Sequence, residues 1–298
     1  MIIDLFIEKI KEKRNPTVVG LDTCAEYLPA SMLAADDGPK SVSRKIFEFN
    51  KAVIDEVGEL IPGVKVQIAY YEMYAEYGIE AYKKTIEYAK SRGLVTIADA
   101  KRNDIASTAA AYSRAYLGMS DIGTKAFDAD FVTVNPYLGS DGIIPFIDDC
   151  KKYDKGVFVL VKTSNKSSSE IQDAKLSDGR RVYELTSDYT AEWGKDLIGK
   201  YGYGAVGAVV GATQTAEAEK IRKRHPGMFF LLPGYGAQGA TASDLAVSFD
   251  KNGLGAVVNN SRGIICAHKK NPDVKYYAAA KNAVLAMRDD LRGAIAGL

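Results

Sequence analysis

The segment DAKRND, Asp99 to Asp104, sets Asp99, Lys101, Arg102 and Asp104 close together directly after the apolar run LVTIA, Leu94 to Ala98. Two readings fit these residue types. One is a helix start laced with ion pairs; the other is a constellation in which carboxylates hold an ammonium beside a reacting atom. In an extended strand, residues two apart share a face, so Asp99 and Lys101 would project together. The run GVKVQIA, Gly63 to Ala69, repeats the device with Lys65 and Gln67. An ammonium flanked by carboxylates stays protonated, and it supplies both a proton and a fixed positive charge where negative charge develops. A purely structural alternative stands beside this one. Lys65, Asp99, Lys101 and Asp104 can simply pair as alternating charges, because charges inside a fold are costly unless paired.

Other polar groups also follow apolar runs. Asp22 closes PTVVGLD, Lys162, Thr163 and Ser164 follow GVFVLV, PGYGAQG follows MFFLL, and NNSRG ends the last such run. An aspartate in Asp22's position reads equally as a turn or helix-cap residue. A lysine in an apolar strand ordinarily snorkels at a sheet edge, which is a weaker reading for Lys65 if the sheet closes on itself. PGYGAQG, Pro233 to Gly239, is glycine-rich and lets backbone approach a ligand closely; it also carries Gln238. Arg262 in NNSRG offers a planar fork suited to a phosphate.

The elements that must position these groups alternate regularly. Eight β-branched runs recur: Pro16 to Asp22, Gly63 to Ala69, Leu94 to Ala100, Asp130 to Pro136, Gly156 to Lys162, Ala205 to Gly211, Met228 to Gly234 and Gly255 to Ser261. Helical periodicity fills the intervals, as in Ser41 to Leu60 and Tyr71 to Lys90. Near-continuous apolar strands indicate a parallel sheet covered by helices. Eight strand–helix units predict an α/β fold, a (β/α)8 TIM barrel forming one domain over residues 1–298, whose chemistry lies at the C-terminal strand ends. There the loops after strands seven and eight commonly bind phosphate. A doubly wound open sheet is the competing architecture, but GLDTCAEYLP after the first strand lacks its glycine-rich phosphate fingerprint. Asp36 to Ser41 and Thr163 to Arg181 read as long loops; a loop as long as the second is usually functional or disordered.

Composition narrows the function classes. The 298 residues are 47% hydrophobic and 26% charged, with a net charge of +1, so no global field favours nucleic acid or an anionic membrane. The basic clusters Ile221 to His225 and His268 to Lys270 read as solvated helix ends or loops. Cys24, Cys150 and Cys266 form neither a disulfide framework nor a zinc pattern. The N-terminal segment has acids within its apolar part and is not a signal peptide, and no run approaches the roughly 18 apolar residues that span a bilayer. The expectation is a soluble cytoplasmic protein with reduced thiols. His225 and His268 lie outside every strand end, so neither a histidine base nor a metal site is expected.

DAKRNDIASTAAAY resembles the D-x-K-x-x-D-I-x-x-T signature of orotidine 5′-phosphate decarboxylases, and the resemblance covers most of the chain. GLD at Asp22, VKVQIAYYE around Lys65, TVNPYLGSDGI from Thr133, VKTSN from Val161, PGYGAQGA and NNSRGI follow in the order of the longer bacterial branch. Val66 departs from a proline often found soon after the strand-two lysine, while Gln67 matches a polar position there. The resemblance implies cofactor-free decarboxylation of orotidine 5′-monophosphate. Lys101 would protonate C6, Asp99 would sit beside the substrate carboxylate, and Lys65 would hold Asp99 and contact the ribose. Asp22 would bind a ribose hydroxyl, Thr163 or Ser164 would read the pyrimidine, and Gln238 and Arg262 would hold the phosphate. It further implies a homodimer with shared sites, in which Asp104 and Thr108 serve the partner's cavity. Two competitors remain: a magnesium-dependent sugar-phosphate aldolase or synthase on the same barrel, with D-x-K-x-x-D at the metal, and a catalytically silent phosphate-binding barrel. The latter would be expected to lack one of the four charged residues, and all four are present.

Overall fold

A computed structural model describes residues 1–236 and 239–298. Eight parallel strands close into a barrel in sequence order, with β1 pairing β8. They are β1 (Thr17–Gly20), β2 (Gly63–Gln67), β3 (Val95–Arg102), β4 (Phe131–Val134), β5 (Gly156–Lys162), β6 (Val206–Val210), β7 (Phe230–Pro233) and β8 (Ala256–Asn260). Around them lie α1 (Ile2–Lys13), α2 (Pro39–Val57), α3 (Ala69–Glu72), α4 (Ala75–Ser91), α5 (Ala106–Tyr116), α6 (Ser140–Tyr153), α7 (Ser168–Ile171), α8 (Val182–Trp193), α9 (Thr215–Arg224), α10 (Ala242–Leu245), α11 (Arg262–Ile265) and α12 (Tyr276–Ala294). Each predicted strand is present because each is buried twice, by the barrel interior and by the helices outside it. Among the described residues no helix is long and apolar enough to cross a membrane.

The end opposite the polar strand termini is closed by aromatics. Helix α1 buries Ile2, Ile3, Phe6, Ile7 and Ile10. The Phe6 ring meets Phe131 at 5.6 Å and Phe229 at 5.9 Å between centroids, and Phe131 meets Phe158 at 5.1 Å. Two glycines make room for this plug. A Cβ at Gly156 would stand 2.2 Å from the Phe131 ring, and one at Gly207 would stand 2.9 Å from the Phe158 ring and 2.4 Å from the Phe229 carbonyl.

Several local expectations are corrected. Helix α2 begins at Pro39, inside the expected Asp36 to Ser41 loop, because proline suits a first helical turn. The expected helix from Tyr71 to Lys90 is divided into α3 and α4, with Ala75, at the start of α4, left-handed at φ 51°. The segment Thr163 to Arg181 is a folded loop. It contains α7, and the buried Lys162 ammonium grips both Asp173 oxygens at 2.9 Å. Arg222, expected to be solvated, instead lies over the Phe230 ring at 4.1 Å and donates to the carbonyls of Pro226, Met228, Ser248 and Gly255. Burial pulls its guanidinium down to about 10.

Phe6→Ala should remove the centre of the plug and lower the unfolding free energy by about 3–5 kcal/mol, the usual range for a buried phenylalanine. Urea unfolding at an unchanged m-value measures this; a loss below about 1 kcal/mol would mean that the plug lies outside the cooperative core.

Candidate active site

A cavity of about 740 Å³ opens at the C-terminal ends of the strands. Its floor carries a line of alternating charge. Lys65, on β2, is 4% exposed; its Nζ donates to Asp22 Oδ1 at 3.1 Å and to Asp99 Oδ2 at 2.7 Å. The other Asp99 oxygen, Oδ1, accepts from Lys101 Nζ at 2.6 Å and from the Thr133 hydroxyl at 2.9 Å. Burial by itself would raise the Asp99 carboxyl, but the charges of Lys65 and Lys101 and their hydrogen bonds outweigh it, holding the group well below the ordinary carboxylate range. Burial would likewise lower the Lys65 ammonium, and Asp22 and Asp99 outweigh that and hold it above the ordinary lysine range. Lys101 is different in access: its side chain is 45% exposed, so the ammonium is fixed at one end of the line yet open to the cavity.

The means by which Asp99 and Lys101 meet differs from simple strand alternation. The β3–β4 ladder is irregular between Ala98 and Arg102, where β3 runs from the partner of Val132 to the partner of Val134. Lys101 sits inside this bulge at φ 49°, in the left-handed region. The bulge re-aims the side chain, a role such irregularities commonly serve beside functional sites.

Most of the other expected residues line the same cavity: Asp22, Gln67, Thr163, Ser164 and Arg262. Gln67 accepts from the Ala69 amide through Oε1 at 3.2 Å. The Thr163 hydroxyl donates to Asn165 at 2.6 Å and accepts from Gln172 Nε2 at 2.8 Å, while Ser164 Oγ makes no hydrogen bond among the described residues. Arg262 is exposed at the rim, and its guanidinium likewise makes no hydrogen bond or ion pair among the described residues. Gln238 lies outside the described residues. Asp104 and Thr108 are not on the wall of this cavity. Among the described residues Asp104 Oδ1 accepts only from the adjacent Ile105 amide, at 2.7 Å, and does not cap α5; Thr108 is exposed. The expected four-charge line is therefore three charges plus Asp22 within one chain.

Lys162 is a correction of a different kind. It follows an irregularity in the β5–β6 ladder between Leu160 and Lys162 and turns out of the cavity onto Asp173. Residues to which the sequence assigned no role also line the site, notably Thr133, Gln172, Tyr235, Asn259 and Asn260. The asparagines were legible as the polar end of an apolar run; Thr133 carried no signal, since threonine is as good a strand former as valine. His225 bonds Asp188, and His268 bonds the Ile265 carbonyl; neither lines the cavity. A neighbouring cavity of about 720 Å³, lined by Tyr137, Tyr189 and Trp193, shares Leu160, Asn165 and Gln172 with this one but carries no charged side chain.

The model of the orotidine 5′-phosphate decarboxylase / HUMPS family matches residues 18–277. The chain belongs to this family. Over 300 residues it is 43% identical to the orotidine 5′-phosphate decarboxylase of Caldicellulosiruptor saccharolyticus, covering 98% of each chain, and it is 43% identical to that of Clostridium tetani, covering 99% of each. The structure of Leishmania donovani OMP decarboxylase is similar with a TM-score of 0.71, at 29% identity over 97% of this chain and 98% of that one. The Methanocaldococcus jannaschii orotidine 5′-monophosphate decarboxylase, at 17% identity and a TM-score of 0.62 over 93% of this chain and 99% of that one, shares the fold.

The charge line of this family member also sets a pH dependence of stability. Because the folded Asp99 carboxyl titrates below its unfolded value of about 3.9, its contribution is complete above that pH and fades as pH falls through the folded value. The Lys65 contribution has the opposite sense: it is complete below about pH 10.4 and fades as pH rises further. Asp99→Asn should leave Lys65 buried with Asp22 as its remaining carboxylate, lowering stability at pH 7 by about 3–5 kcal/mol. The acid limb of the stability curve, from urea unfolding between about pH 1 and 5, should flatten in the variant; an unchanged acid limb would mean that Asp99 is not a source of it.

Proposed function

We infer that this protein decarboxylates orotidine 5′-monophosphate to uridine 5′-monophosphate and CO₂, the closing step of de novo pyrimidine nucleotide synthesis, without a cofactor. The observation that carries the reading is the near-full-length identity to decarboxylases in a chain whose barrel mouth holds the Lys65–Asp99–Lys101 line. The chemistry asks for such a line. Breaking the bond between C6 and the carboxylate releases CO₂ and leaves its electron pair on C6, where the pyrimidine ring delocalises it poorly. An ammonium already fixed beside C6 stabilises that pair without reorganisation and then transfers a proton to it. In this reading Lys101 is that acid, with its exposed Nζ held by Asp99. Asp99 lies beside the departing carboxylate, and Lys65 keeps Asp99 ionised and meets the ribose with Asp22. Gln67 lies on the substrate side of β2. Ser164, whose hydroxyl is not spent on Gln172 and Asn165 as that of Thr163 is, reads the pyrimidine edge. Arg262, with Gln238, holds the phosphate, and phosphate binding contributes energy that orients the reacting ring.

The active unit in this reading is a homodimer with composite sites. Asp104 and Thr108 stand outside their own cavity, and Ile105, next to Asp104 in the chain, and Tyr137, beyond the end of β4, are 53% and 81% exposed, apolar surface that a second copy would cover. Asp104 and Thr108 of each chain then complete the partner's charge line and ribose site. We read the protein as cytoplasmic, since a nucleotide substrate and three free thiols suit a reducing compartment.

Two measurements test this reading. Purified protein in EDTA should consume orotidine 5′-monophosphate, followed by loss of its ultraviolet absorbance. In the same assay Lys101→Ala should lose at least about two decades in kcat, corresponding to the 3–4 kcal/mol typical of a lost transition-state charge contact. Activity that disappears in EDTA and returns with Mg²⁺ would favour the metal-dependent synthase chemistry instead. For the composite site, Lys101→Ala and Asp104→Ala proteins, each nearly inactive, are mixed under conditions of subunit exchange. Mixed dimers hold one intact site, so activity should return to about a quarter of wild type. Exchange verified by mass with no return of activity would place Asp104 in service of its own chain.

A further inference from the structure

Thr133 is the buried hydroxyl at the centre of the charge line, 1% exposed on β4. Its Oγ1 accepts the Lys101 backbone N–H at 2.9 Å and donates to Asp99 Oδ1 at 2.9 Å, the same oxygen that accepts from Lys101 Nζ at 2.6 Å. One hydroxyl thus closes a ring from the Lys101 amide, through Thr133, to the Asp99 carboxylate and back to the Lys101 ammonium. The directions are forced. An amide can only donate, so it occupies a lone pair of the hydroxyl, and the single hydroxyl proton is left for the carboxylate.

The surroundings explain why such a ring is needed. The bulge between Ala98 and Arg102 removes Lys101 from the regular β3–β4 ladder, so its N–H must find another acceptor. The residue is also left-handed, a conformation that persists only where neighbours over-determine it. Thr133 supplies the acceptor and, through the same atom, fixes the oxygen that aims the ammonium. The Thr96 hydroxyl, also buried, serves Asp130 and does not reach the cavity.

We propose that Thr133 is a positioning residue for the decarboxylation: it locks the backbone of Lys101 and the carboxylate of Asp99 together, and so sets where the Lys101 ammonium points. The proposal rests on the decarboxylase reading above. Without the hydroxyl, the lysine would keep its charge and reach but lose the fixed direction on which its action in the transition state depends.

Thr133→Val keeps the branched shape and removes the hydroxyl; Thr133→Ser keeps the hydroxyl and removes a methyl group. Valine should lower kcat about 10- to 100-fold, in line with losing a hydrogen bond to a charged group, and leave the dissociation constant for uridine 5′-monophosphate within about twofold. Serine should restore kcat to within about threefold of wild type. Hydrogen exchange at the Lys101 amide should accelerate at least about tenfold in the valine protein and stay near wild type in the serine protein. A valine protein with kcat within about twofold of wild type, a fall in nucleotide affinity parallel to the fall in kcat, or a serine protein as impaired as the valine one would each overturn the proposal. Should the valine protein not fold, Thr133→Ala replaces it, and alanine as active as serine overturns it equally. If the wild type itself does not turn over orotidine 5′-monophosphate, the decarboxylase reading fails. Amide exchange then still decides whether Thr133 holds Lys101, and equal protection with and without the hydroxyl counts against it.

Discussion

The contact between the Lys65 ammonium and the Asp99 carboxylate, 2.7 Å apart and almost out of reach of solvent, is the constraint to which the rest of the mouth is fitted. Neither charge could stay ionised there alone. Once paired, each has a remaining capacity that must be met: Lys65 turns to Asp22, and the free oxygen of Asp99 takes Lys101 and Thr133. The exposed ammonium of Lys101 is consequently fixed by contacts that begin in the barrel floor. A lysine on a mobile loop could present the same charge, but it would have to be organised anew with each substrate.

Closure of the sheet makes that pair possible. Lys65 and Asp99 lie on neighbouring strands whose register sets Gln67 opposite Asp99 and Lys65 opposite Ile97. A strand at an open edge would leave room for the lysine to escape to water; β2 is flanked on both sides and offers none. Stability and chemistry are also separated along the barrel axis. The Phe6, Phe131, Phe158 and Phe229 plug and the Arg222 contacts lie away from the cavity wall, whereas the bulge and the left-handed Lys101 sit at the mouth.

The strands were legible because doubly buried parallel strands read as apolar runs, and Lys65, Asp99 and Lys101 stood out as charges that interrupt or end those runs. What the sequence concealed has specific causes. Strand alternation could not reveal that Lys162 leaves the cavity, since a ladder irregularity precedes it. Thr133 was hidden by its own suitability for a strand. Arg222 reads as solvated in the sequence because its acceptors are backbone carbonyls, which no side-chain pattern announces. The break between α3 and α4 falls in a stretch whose helical periodicity continues across it.

The position of α1 has a consequence for synthesis. Phe6 rests on Phe131 and Phe229, Arg14 donates to the Leu298 carbonyl, and Arg292 donates to the carbonyls of Lys13 and Arg14. Helix α1 is therefore synthesised well before the residues that complete its seat. At typical elongation rates this leaves roughly 10–45 s between the emergence of Phe6 and that of Phe229. During that interval the face formed by Ile2, Ile3, Phe6, Ile7 and Ile10 has no complete seat. Until the barrel closes, the nascent chain thus carries an amphipathic segment that a chaperone can hold and that a neighbouring nascent chain can trap.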